Sequence, residues 1–209
     1  MNFLELSDYV LAGNVEKVVE GTKWMLQQGV EPLRIINEGL IPGMNTVGVL
    51  FKKGDMFVPE VMHCAKAMNA GVALIKPLIA ESDIPSRGTV IIGTVRGDLH
   101  DIGKNLVVMM LESQGFKVVD LGVNITPEQF VGAIEKHQPQ VIGMSALLTT
   151  TMPGMSETIK ALEKANLRER VKIMIGGAPV TAAFANQIGA DGYAPDAGSA
   201  VELCGRFVS

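Results

Sequence analysis

The sequence predicts two domains, a four-helix bundle followed by a doubly wound α/β domain with a parallel five-stranded sheet. Two observations predict this fold. Apolar residues recur at helical spacing through the first 80 residues, whereas short apolar runs of strand length alternate with helical segments in the rest. A polar segment that contains Pro85 separates the two patterns. We therefore expect a helical domain at residues 1–80, a linker at 81–87 and an α/β domain at 88–209.

The helical region divides into four segments. Gly13-Asn14 and Gln28-Gly29 indicate helix ends, and Pro32 is tolerated in the first turn of a helix. Pro42 and Gly43 interrupt the third segment, where we expect a kink. Short loops favour antiparallel neighbours, so the four segments are expected to form a bundle. The predicted helices cover residues 4–11, 15–26, 32–51 and 59–75.

The second region alternates strictly between strands and helices. Five strands are expected at residues 89–93, 117–121, 140–145, 171–175 and 192–193, and helices at 102–113, 127–136, 154–166, 180–188 and 197–207. This alternation predicts a Rossmann-like, flavodoxin-like domain with helices on both faces of the sheet. Such sheets bind ligands over the carboxyl ends of their strands, at a topological switch point.

Composition favours a globular protein of the cytoplasm. Hydrophobic residues make up 47% of the chain, and a net charge of -4 without a basic block disfavours nucleic-acid binding. We expect neither a secretory signal nor a membrane span, because the longest uncharged stretch, residues 137–156, contains threonines, proline and glycine. Cys64 and Cys204 form no CxxC pair, which is typical of a reducing compartment.

Three loops at predicted strand ends have an unusual composition, and we expect them to converge on one edge of the sheet. They are residues 97–105, 145–151 and 176–178. The first loop contains neither nucleotide motif: its spacing from Gly97 to Gly103 does not fit a P-loop, and GxGxxG is absent. Its Asp98-x-His100 spacing instead fits a metal-binding histidine that donates its other N–H to a carboxylate. This loop holds no second histidine or cysteine, so the chain offers one ligand to a metal held otherwise by a macrocycle.

These loops resemble a known family. Asp98-x-His100-x-x-Gly103, followed by Ser145-x-Leu147 and Gly176-Gly177, resembles the B12-binding module of cobalamin-dependent methionine synthase. The whole chain resembles the corrinoid proteins of methanol, methylamine and methoxyaromatic methyltransferase systems, which also carry an N-terminal four-helix bundle. The resemblance implies a carrier of a methyl group on the cobalt of cobalamin or a related corrinoid, with methylcobalamin as the form in turnover.

The resemblance also implies base-off/His-on binding, in which the cofactor base leaves cobalt and its tail enters the sheet domain. His100 would be the lower axial ligand of cobalt, released with proton uptake when the methyl group leaves. Asp98 would accept its other ring N–H, and Thr151 would complete the relay, with Thr149 and Thr150 as alternatives. Ser145 would bind the displaced base.

The remaining contacts expected from the resemblance surround the cofactor. Gly103, Gly176 and Gly177 would leave room for the tail, although turn geometry is the alternative explanation for each. Phe57 and Met62 would cap the upper cobalt face, with core packing as the alternative. Asp101 and Lys104 are interpreted as solvated loop charges, with a cofactor phosphate as an alternative partner of Lys104. The other residues expected around the cofactor are Gly97, Leu99, Asp101, Ile102, Leu147, Thr149 and Ala178.

Three partners follow from the resemblance: a substrate-specific corrinoid methyltransferase, a second methyltransferase that passes the methyl group to tetrahydrofolate or a thiol, and a reductive activase. The chain would not be catalytic alone. Two alternatives share the same loops. One is the B12-binding subunit of an adenosylcobalamin-dependent mutase, which needs a substrate barrel, and the other is a B12-dependent sensor, which needs a DNA-binding or signalling domain.

Overall fold

The computed structural model describes residues 1–79 and 86–209, so that most of the predicted linker at 81–87 lies outside the described residues. Two compact units are present, one comprising Met1–Ser86 with Ser113–Gly115 and the other Arg87–Glu112 with Phe116–Ser209. Within the described ranges, no helix combines the length and the apolar composition that crossing a bilayer requires.

The first unit is helical, as expected. Its elements are α1 (Phe3–Leu11), α2 (Val15–Gln27), α3 (Pro32–Arg34), a π-helical turn (Ile35–Leu40), α4 (Ile41–Lys53), α5 (Val58–Ile75) and a 3-10 turn (Lys76–Leu78). Local capping sets the helix starts. The Asn2 side chain accepts from the Glu5 amide at 2.9 Å while Glu5 accepts from the Asn2 amide at 2.7 Å, a reciprocal capping box. Asn14 caps α2 through the Lys17 amide at 3.0 Å.

The third helical segment contains a π-helical turn, Ile35–Leu40, just before Pro42 and Gly43, where we expected a kink. Pro42 has no N–H, and its ring crowds the carbonyl group four residues earlier in an α-helix. The chain accommodates this by widening the preceding turn, in which the Ile41 amide donates to the carbonyl of Ile36, five residues back. The helical path therefore continues through Pro42 into α4.

Two glycines bring this segment against α1. A Cβ atom added at Gly43 would lie 2.6 Å from the Ser7 carbonyl oxygen, and one at Gly39 would lie 2.7 Å from the Leu6 side chain. The apolar stripes of the helices meet in the core of the unit, as the sequence period predicts. The buried core residues of this unit include Leu6, Val10, Val18, Met25, Ile36, Leu40, Met44, Val47, Val61, Met68 and Ile75.

The second unit is a parallel sheet with helices, which confirms the predicted fold class. Its strands are β1 (Thr89–Thr94), β2 (Lys117–Asp120), β3 (Val141–Ser145), β4 (Lys172–Gly176) and β5 (Gly192–Ala194), in the order β2-β1-β3-β4-β5. The helices are α6 (Ile102–Ser113), α7 (Pro127–His137), α8 (Pro153–Lys164), α9 (Ala182–Ile188) and α10 (Ala197–Phe207). The central strands are buried, which explains their near-continuous apolar sequence.

The strand order places the switch point between β1 and β3, where the chain leaves neighbouring strands in opposite directions. At the carboxyl edge, Thr94 pairs with Ser145, Ser145 with Gly176, and Gly176 with Ala194. The loops that follow β1, β3 and β4 therefore start side by side. This is the edge at which the three unusual loops were expected to converge.

The close approach of α4 to α1 predicts a cost for the smallest possible addition at Gly43. Gly43→Ala should lower the free energy of unfolding by about 1–3 kcal/mol, because the new methyl group would overlap backbone that has no room to retreat. Urea denaturation followed by circular dichroism measures the change. Gly132→Ala in α7, where an added Cβ meets nothing within 4 Å, is the control and should stabilise by about 0.5–1 kcal/mol. Equal effects of the two substitutions would refute this account of the packing.

Candidate functional site

One buried carboxylate joins the loops after β1 and β3. Asp98 has no solvent exposure. Its Oδ1 accepts hydrogen bonds from the His100 amide at 3.0 Å and from His100 Nδ1 at 2.6 Å. Its Oδ2 accepts from the Leu147 amide at 2.7 Å and from Thr151 Oγ1 at 2.7 Å. One side chain thus holds His100 of its own loop together with Leu147 and Thr151, which lie 49 and 53 positions further along the chain.

These donors decide the charge of Asp98. Burial alone would raise the pKa of the carboxyl group. The hydrogen bonds from Thr151, Leu147 and His100 outweigh burial and hold the pKa of Asp98 well below its usual range. Asp98 is therefore an ionised, acceptor-only group at neutral pH.

The ionised carboxylate fixes the chemistry of the His100 ring. Because Asp98 can only accept, Nδ1 of His100 carries the proton, and in the neutral imidazole the lone pair lies on Nε2. The side chain of His100 is 50% exposed. Nε2 is thus the ring nitrogen that can bind a metal.

Thr151 is the threonine that contacts the carboxylate. It is 8% exposed, and its hydroxyl group lies 2.7 Å from Asp98 Oδ2 and 2.9 Å from the Leu148 carbonyl oxygen. Thr149 and Thr150 are exposed in the same turn. A hydroxyl group has one proton, so the two acceptors compete for it, and the ionised carboxylate is the stronger acceptor.

A largely apolar cavity of about 570 Å³ extends from His100 over the carboxyl ends of the strands, between α6 and α10. Most of the residues predicted around a cofactor line it, whereas Asp98 and Thr151 are buried and Gly97 and Thr149 are exposed in the adjoining loops. The lining residues are Ile92, Leu99, His100, Asp101, Ile102, Gly103, Lys104, Leu106, Val107, Gly143, Met144, Ser145, Leu147, Met174, Ile175, Gly176, Gly177, Ala178, Ala194, Pro195, Asp196, Ala197 and Ala200.

The glycines of the cavity differ in the space that a side chain would find at each position. A Cβ atom at Gly103 would meet no atom of residues 1–79 and 86–209 within 4 Å, so this glycine leaves open space. A Cβ at Gly176 would lie 2.8 Å from the Ala194 carbonyl oxygen, and one at Gly177 only 1.9 Å from that of Ala146. Gly177 also has a φ of 128°, which a residue with a side chain rarely adopts. Gly176 and Gly177 are thus required by the fold itself.

Ser145 supplies a polar atom to the cavity. Within residues 1–79 and 86–209 its hydroxyl group makes no hydrogen bond, although the residue borders the cavity. A partner for it would have to come from a bound molecule or from water. The cavity thus offers apolar walls, open space beside Gly103 and one unengaged hydroxyl group, which fits an aromatic base with a hydrogen-bonding nitrogen.

Four apolar side chains in the loops after β1 and β3 are exposed. Leu99 is 71% exposed, Ile102 86%, Leu147 42% and Leu148 44%. Leu99, Ile102 and Leu147 line the cavity together with His100, and exposed apolar groups that lie together mark a binding surface. Their exposure fits contact with the flat apolar face of a macrocycle.

Lys104 was interpreted wrongly as a solvated charge. Its side chain is 1% exposed, and Nζ lies 2.6 and 2.8 Å from the two carboxylate oxygens of Asp120 and 2.6 Å from the Asn105 side chain. This pairing satisfies an ammonium group that burial would otherwise destabilise. Asp101, in contrast, is exposed as expected.

Two further residues of the site escaped the sequence analysis. The buried Thr94 donates from its hydroxyl group to the His100 carbonyl oxygen at 2.9 Å. Asn124 accepts from the Gly97 amide at 2.7 Å through its side chain. Neither residue belongs to a motif, and the partner of Asn124 lies 27 residues earlier in the chain.

Phe57 and Met62 belong to the helical unit, where Phe57 directly precedes α5 and Met62 lies in its second turn. They are 69% and 45% exposed, so core packing does not account for either side chain. The Glu60 carboxylate accepts from the Phe57 amide at 2.7 Å, which fixes the start of this helix. Their role as a cap stays a prediction.

The candidate metal donor of this site is the imidazole of His100. In the parts of the chain that the structure describes, no group of three or more histidine, cysteine, aspartate or glutamate residues could hold a metal ion. A site with a single imidazole suits a metal whose other ligands are supplied by a macrocycle.

Comparison with known proteins identifies the family. The B12 binding domain family matches residues 88–202, and a second B12 binding domain family matches residues 4–76. A dimethylamine corrinoid protein of Methanosarcina acetivorans is 49% identical over 82% of this chain and 81% of its own length. The chain belongs to the B12-binding corrinoid proteins. The resemblance drawn from the three loops and the bundle is thereby confirmed.

Two further relatives cover almost the whole chain of this corrinoid protein. A corrinoid protein of Desulfitobacterium hafniense is 40% identical over 98% of this chain and 96% of its own length. A chain in the crystal structure of the methanol:cobalamin methyltransferase complex from Methanosarcina barkeri is 31% identical, with a TM-score of 0.88, and covers 97% of this chain and 78% of its own.

The depressed pKa of Asp98 predicts a pH-dependent contribution to stability. Asp98 has a lower pKa in the folded than in the unfolded chain, where it is about 3.9. Its contribution to folding is therefore complete at neutral pH and is lost as the pH falls below about 5. Asp98→Asn should destabilise the corrinoid-free protein at pH 7, and the difference from the wild type should shrink by more than about 1 kcal/mol at pH 3.

Urea denaturation from pH 3 to pH 7 measures this difference. Thr151→Val, which removes one of the donors to Asp98, should show the same trend with a smaller amplitude. The prediction is contradicted if the unfolding free energies of the wild type and Asp98→Asn differ by the same amount at every pH.

Proposed function

We propose that this corrinoid protein carries a methyl group on cobalt, with His100 as the lower axial ligand and the displaced base of the cofactor in the cavity. One observation carries the proposal. A half-exposed imidazole, bonded through Nδ1 to a buried carboxylate, stands beside an apolar cavity with open space at Gly103.

The residues of the chain have separate tasks in this function. When bound, the corrinoid supplies a cobalt ion that can accept a methyl group and pass it on. Asp98 keeps the lone pair of His100 on Nε2 and increases the basicity of that nitrogen as a ligand. Leu99, Ile102 and Leu147 offer apolar surface to the macrocycle.

The cavity would hold the nucleotide tail. Its walls are small or apolar where they meet the sheet, and Ser145 can donate to a ring nitrogen that would otherwise be buried without a partner. Gly103, in the first turn of α6, lines the cavity and leaves open space where a side chain would begin. Gly176 and Gly177 shape the other side by permitting close backbone contacts.

Ligation and protonation compete for the same lone pair on Nε2 of His100. An imidazole released from the metal would have Nε2 free to take up a proton, since metal ligands bind in their deprotonated form. Thr151 donates to Asp98 and so helps to hold the carboxylate beside the imidazole.

The partners are inferred from the family. A methyltransferase partner is supported by the methanol:cobalamin methyltransferase complex among the similar structures. We extend this to a substrate-specific methyltransferase that loads the methyl group, a second methyltransferase that passes it to tetrahydrofolate or a thiol, and a reductive activase. Relatives named for dimethylamine and trimethylamine make methylated amines the first donors to test. The free, buried cysteines suit a reducing compartment such as the cytoplasm.

Replacement of the imidazole tests the central assignment. His100→Ala should still bind hydroxocobalamin through the cavity and remain coloured after gel filtration, but should lose nitrogen ligation by the protein. Electron paramagnetic resonance of the Co(II) form reads this out. In protein labelled with nitrogen-15 histidine, a twofold axial splitting is expected for the wild type, because only a protein imidazole carries that isotope.

The matched control for this experiment is His63→Ala, since His63 is exposed on α5. Its twofold splitting should be that of the wild type. The assignment of His100 falls if the His100→Ala protein keeps the twofold splitting. The function itself falls if the wild-type chain stays colourless after incubation with hydroxocobalamin.

The open space at Gly103 predicts a variant that binds poorly without being unstable. Gly103→Leu should leave the unfolding free energy of the corrinoid-free protein unchanged or higher, because leucine favours a helix and its Cβ meets no atom. Corrinoid affinity should fall by at least about tenfold, as the side chain overfills the cavity. Fluorescence or absorbance titration with hydroxocobalamin measures the affinity.

Two comparison variants separate space from backbone geometry. Gly132→Leu lies in a helix with equally open surroundings away from the cavity, and it should bind like the wild type. Gly177→Ala should destabilise the corrinoid-free protein, because its Cβ would overlap the Ala146 carbonyl group. Unchanged affinity in Gly103→Leu would show that the tail does not use this space.

A further inference from the structure

We propose that Asn124 is a positioning residue that holds the loop of His100 in the conformation from which the imidazole binds cobalt. The proposal rests on the proposed function, because it assumes that His100 is the ligand. Asn124 itself lies in the turn after β2, a strand that contributes no residue to the cavity. Its effect would be exerted entirely through Gly97 and Asp98.

Asn124 contacts the His100 loop on both sides of one peptide unit. Its side-chain oxygen accepts from the Gly97 amide at 2.7 Å, and its own amide donates to the Asp98 carbonyl oxygen at 3.0 Å. Asp98 carries the carboxylate that bonds His100, Leu147 and Thr151. The backbone of Asp98 is thus held from the β2 side while its side chain binds the β3 side.

The neighbouring residues of Asn124 extend the pairing of β2 with β1 into the loops. The Thr94 amide donates to the Gly122 carbonyl oxygen at 3.0 Å, and the Ile125 amide donates to the Thr94 carbonyl oxygen at 2.9 Å. Val95 and Ile125 form an isolated parallel bridge. Asn124 therefore stands on a segment that is itself fixed to the end of β1.

The same segment also holds the helix that follows His100. Asp120 accepts from Lys104 in the first turn of α6 at 2.6 and 2.8 Å, and it accepts from the Gly122 amide at 2.9 Å. His100 thus lies between two attachments to the end of β2, with Asn124 before it and Lys104 after it. A loop fixed at both ends loses less freedom when its imidazole binds a ligand.

Asparagine satisfies two separate demands at this position. The backbone φ of residue 124 is 57°, a left-handed conformation that asparagine tolerates better than most residues. The side chain must also accept a hydrogen bond from an amide that lies two loops away in sequence. Glycine meets the first demand only, aspartate meets both, and alanine meets neither.

Three variants of residue 124 separate these demands. In corrinoid-loaded protein, Asn124→Gly should lower the ratio of imidazole-ligated to imidazole-free Co(II) by about fivefold, the effect of one lost hydrogen bond. Asn124→Asp should restore the wild-type ratio, and Asn124→Ala should lower it further. The ratio is read from the twofold axial splitting in protein labelled with nitrogen-15 histidine. In corrinoid-free protein, the Gly97 amide should exchange with solvent about fivefold faster in Asn124→Gly.

Asn166 provides the matched control. It also has a positive φ, 56°, is exposed in a turn after α8, and its side chain makes no hydrogen bond within the described residues. Asn166→Gly and Asn166→Ala should change neither the Co(II) ratio nor the exchange of Gly97. A change of equal size in Asn124→Gly and Asn166→Gly would reduce the effect to general stability and overturn the proposal.

The two readouts distinguish the failure of this proposal from the failure of the proposed function. If the wild type shows no twofold splitting, His100 is not the ligand, and positioning of a ligand falls with it. If the wild type shows the splitting and Asn124→Gly retains the full ratio, the function stands and the role of Asn124 is overturned. If the Gly97 amide exchanges faster while the Co(II) ratio is unchanged, the role of Asn124 is also overturned, because the loop would then loosen without affecting the imidazole.

Discussion

The site depends on the burial of one charged group. A carboxylate removed from water loses several kcal/mol of solvation unless donors replace the water, and Asp98 finds four of them. Two come from its own loop and two from the loop after β3. Donors from both loops therefore compensate the burial of the charge, and the carboxylate fixes the proton of His100 on Nδ1.

Small residues shape the cavity beside the imidazole, but they are small for different physical reasons. Gly177 lets the backbone of one loop pass against the Ala146 carbonyl group, and Gly176 does the same against Ala194, so these positions are needed with or without a cofactor. Gly103 faces empty space, and no contact among the described residues explains the absence of its side chain. A glycine motif of this kind therefore mixes positions that folding requires with positions that a ligand requires. Only the contacts around each glycine show which requirement applies.

The elements and the loops of the site could be predicted because they depend on local patterns. Periods of 3.6 and 2 residues mark helices and strands, and the alternation of the two implies a parallel sheet whose loops meet at one edge. The pairing of Asp98 with His100 follows from their spacing. The choice of Thr151 over its two neighbours did not follow, since it depends on the direction of the turn after Leu148.

The features that sequence analysis missed depend on partners far along the chain. Lys104 looks like a loop charge until Asp120, 16 residues away, is placed beside it by the pairing of β1 and β2. Asn124 has no motif, because its role comes from the φ of its own backbone and from an amide 27 residues earlier. The π-helical turn before Pro42 was not predicted either, because proline indicates an interruption of the helix but not the form that the interruption takes.

The arrangement also explains why a carrier needs so few reactive groups. His100 offers one lone pair, and the hydrogen bonds of Asp98 determine which nitrogen carries it. Because both oxygens of Asp98 belong to one delocalised carboxylate, a change of charge at the imidazole alters the bonds to Leu147 and Thr151 as well. The hydrogen bonds of Asp98 thus link the imidazole of His100 to the loop after β3.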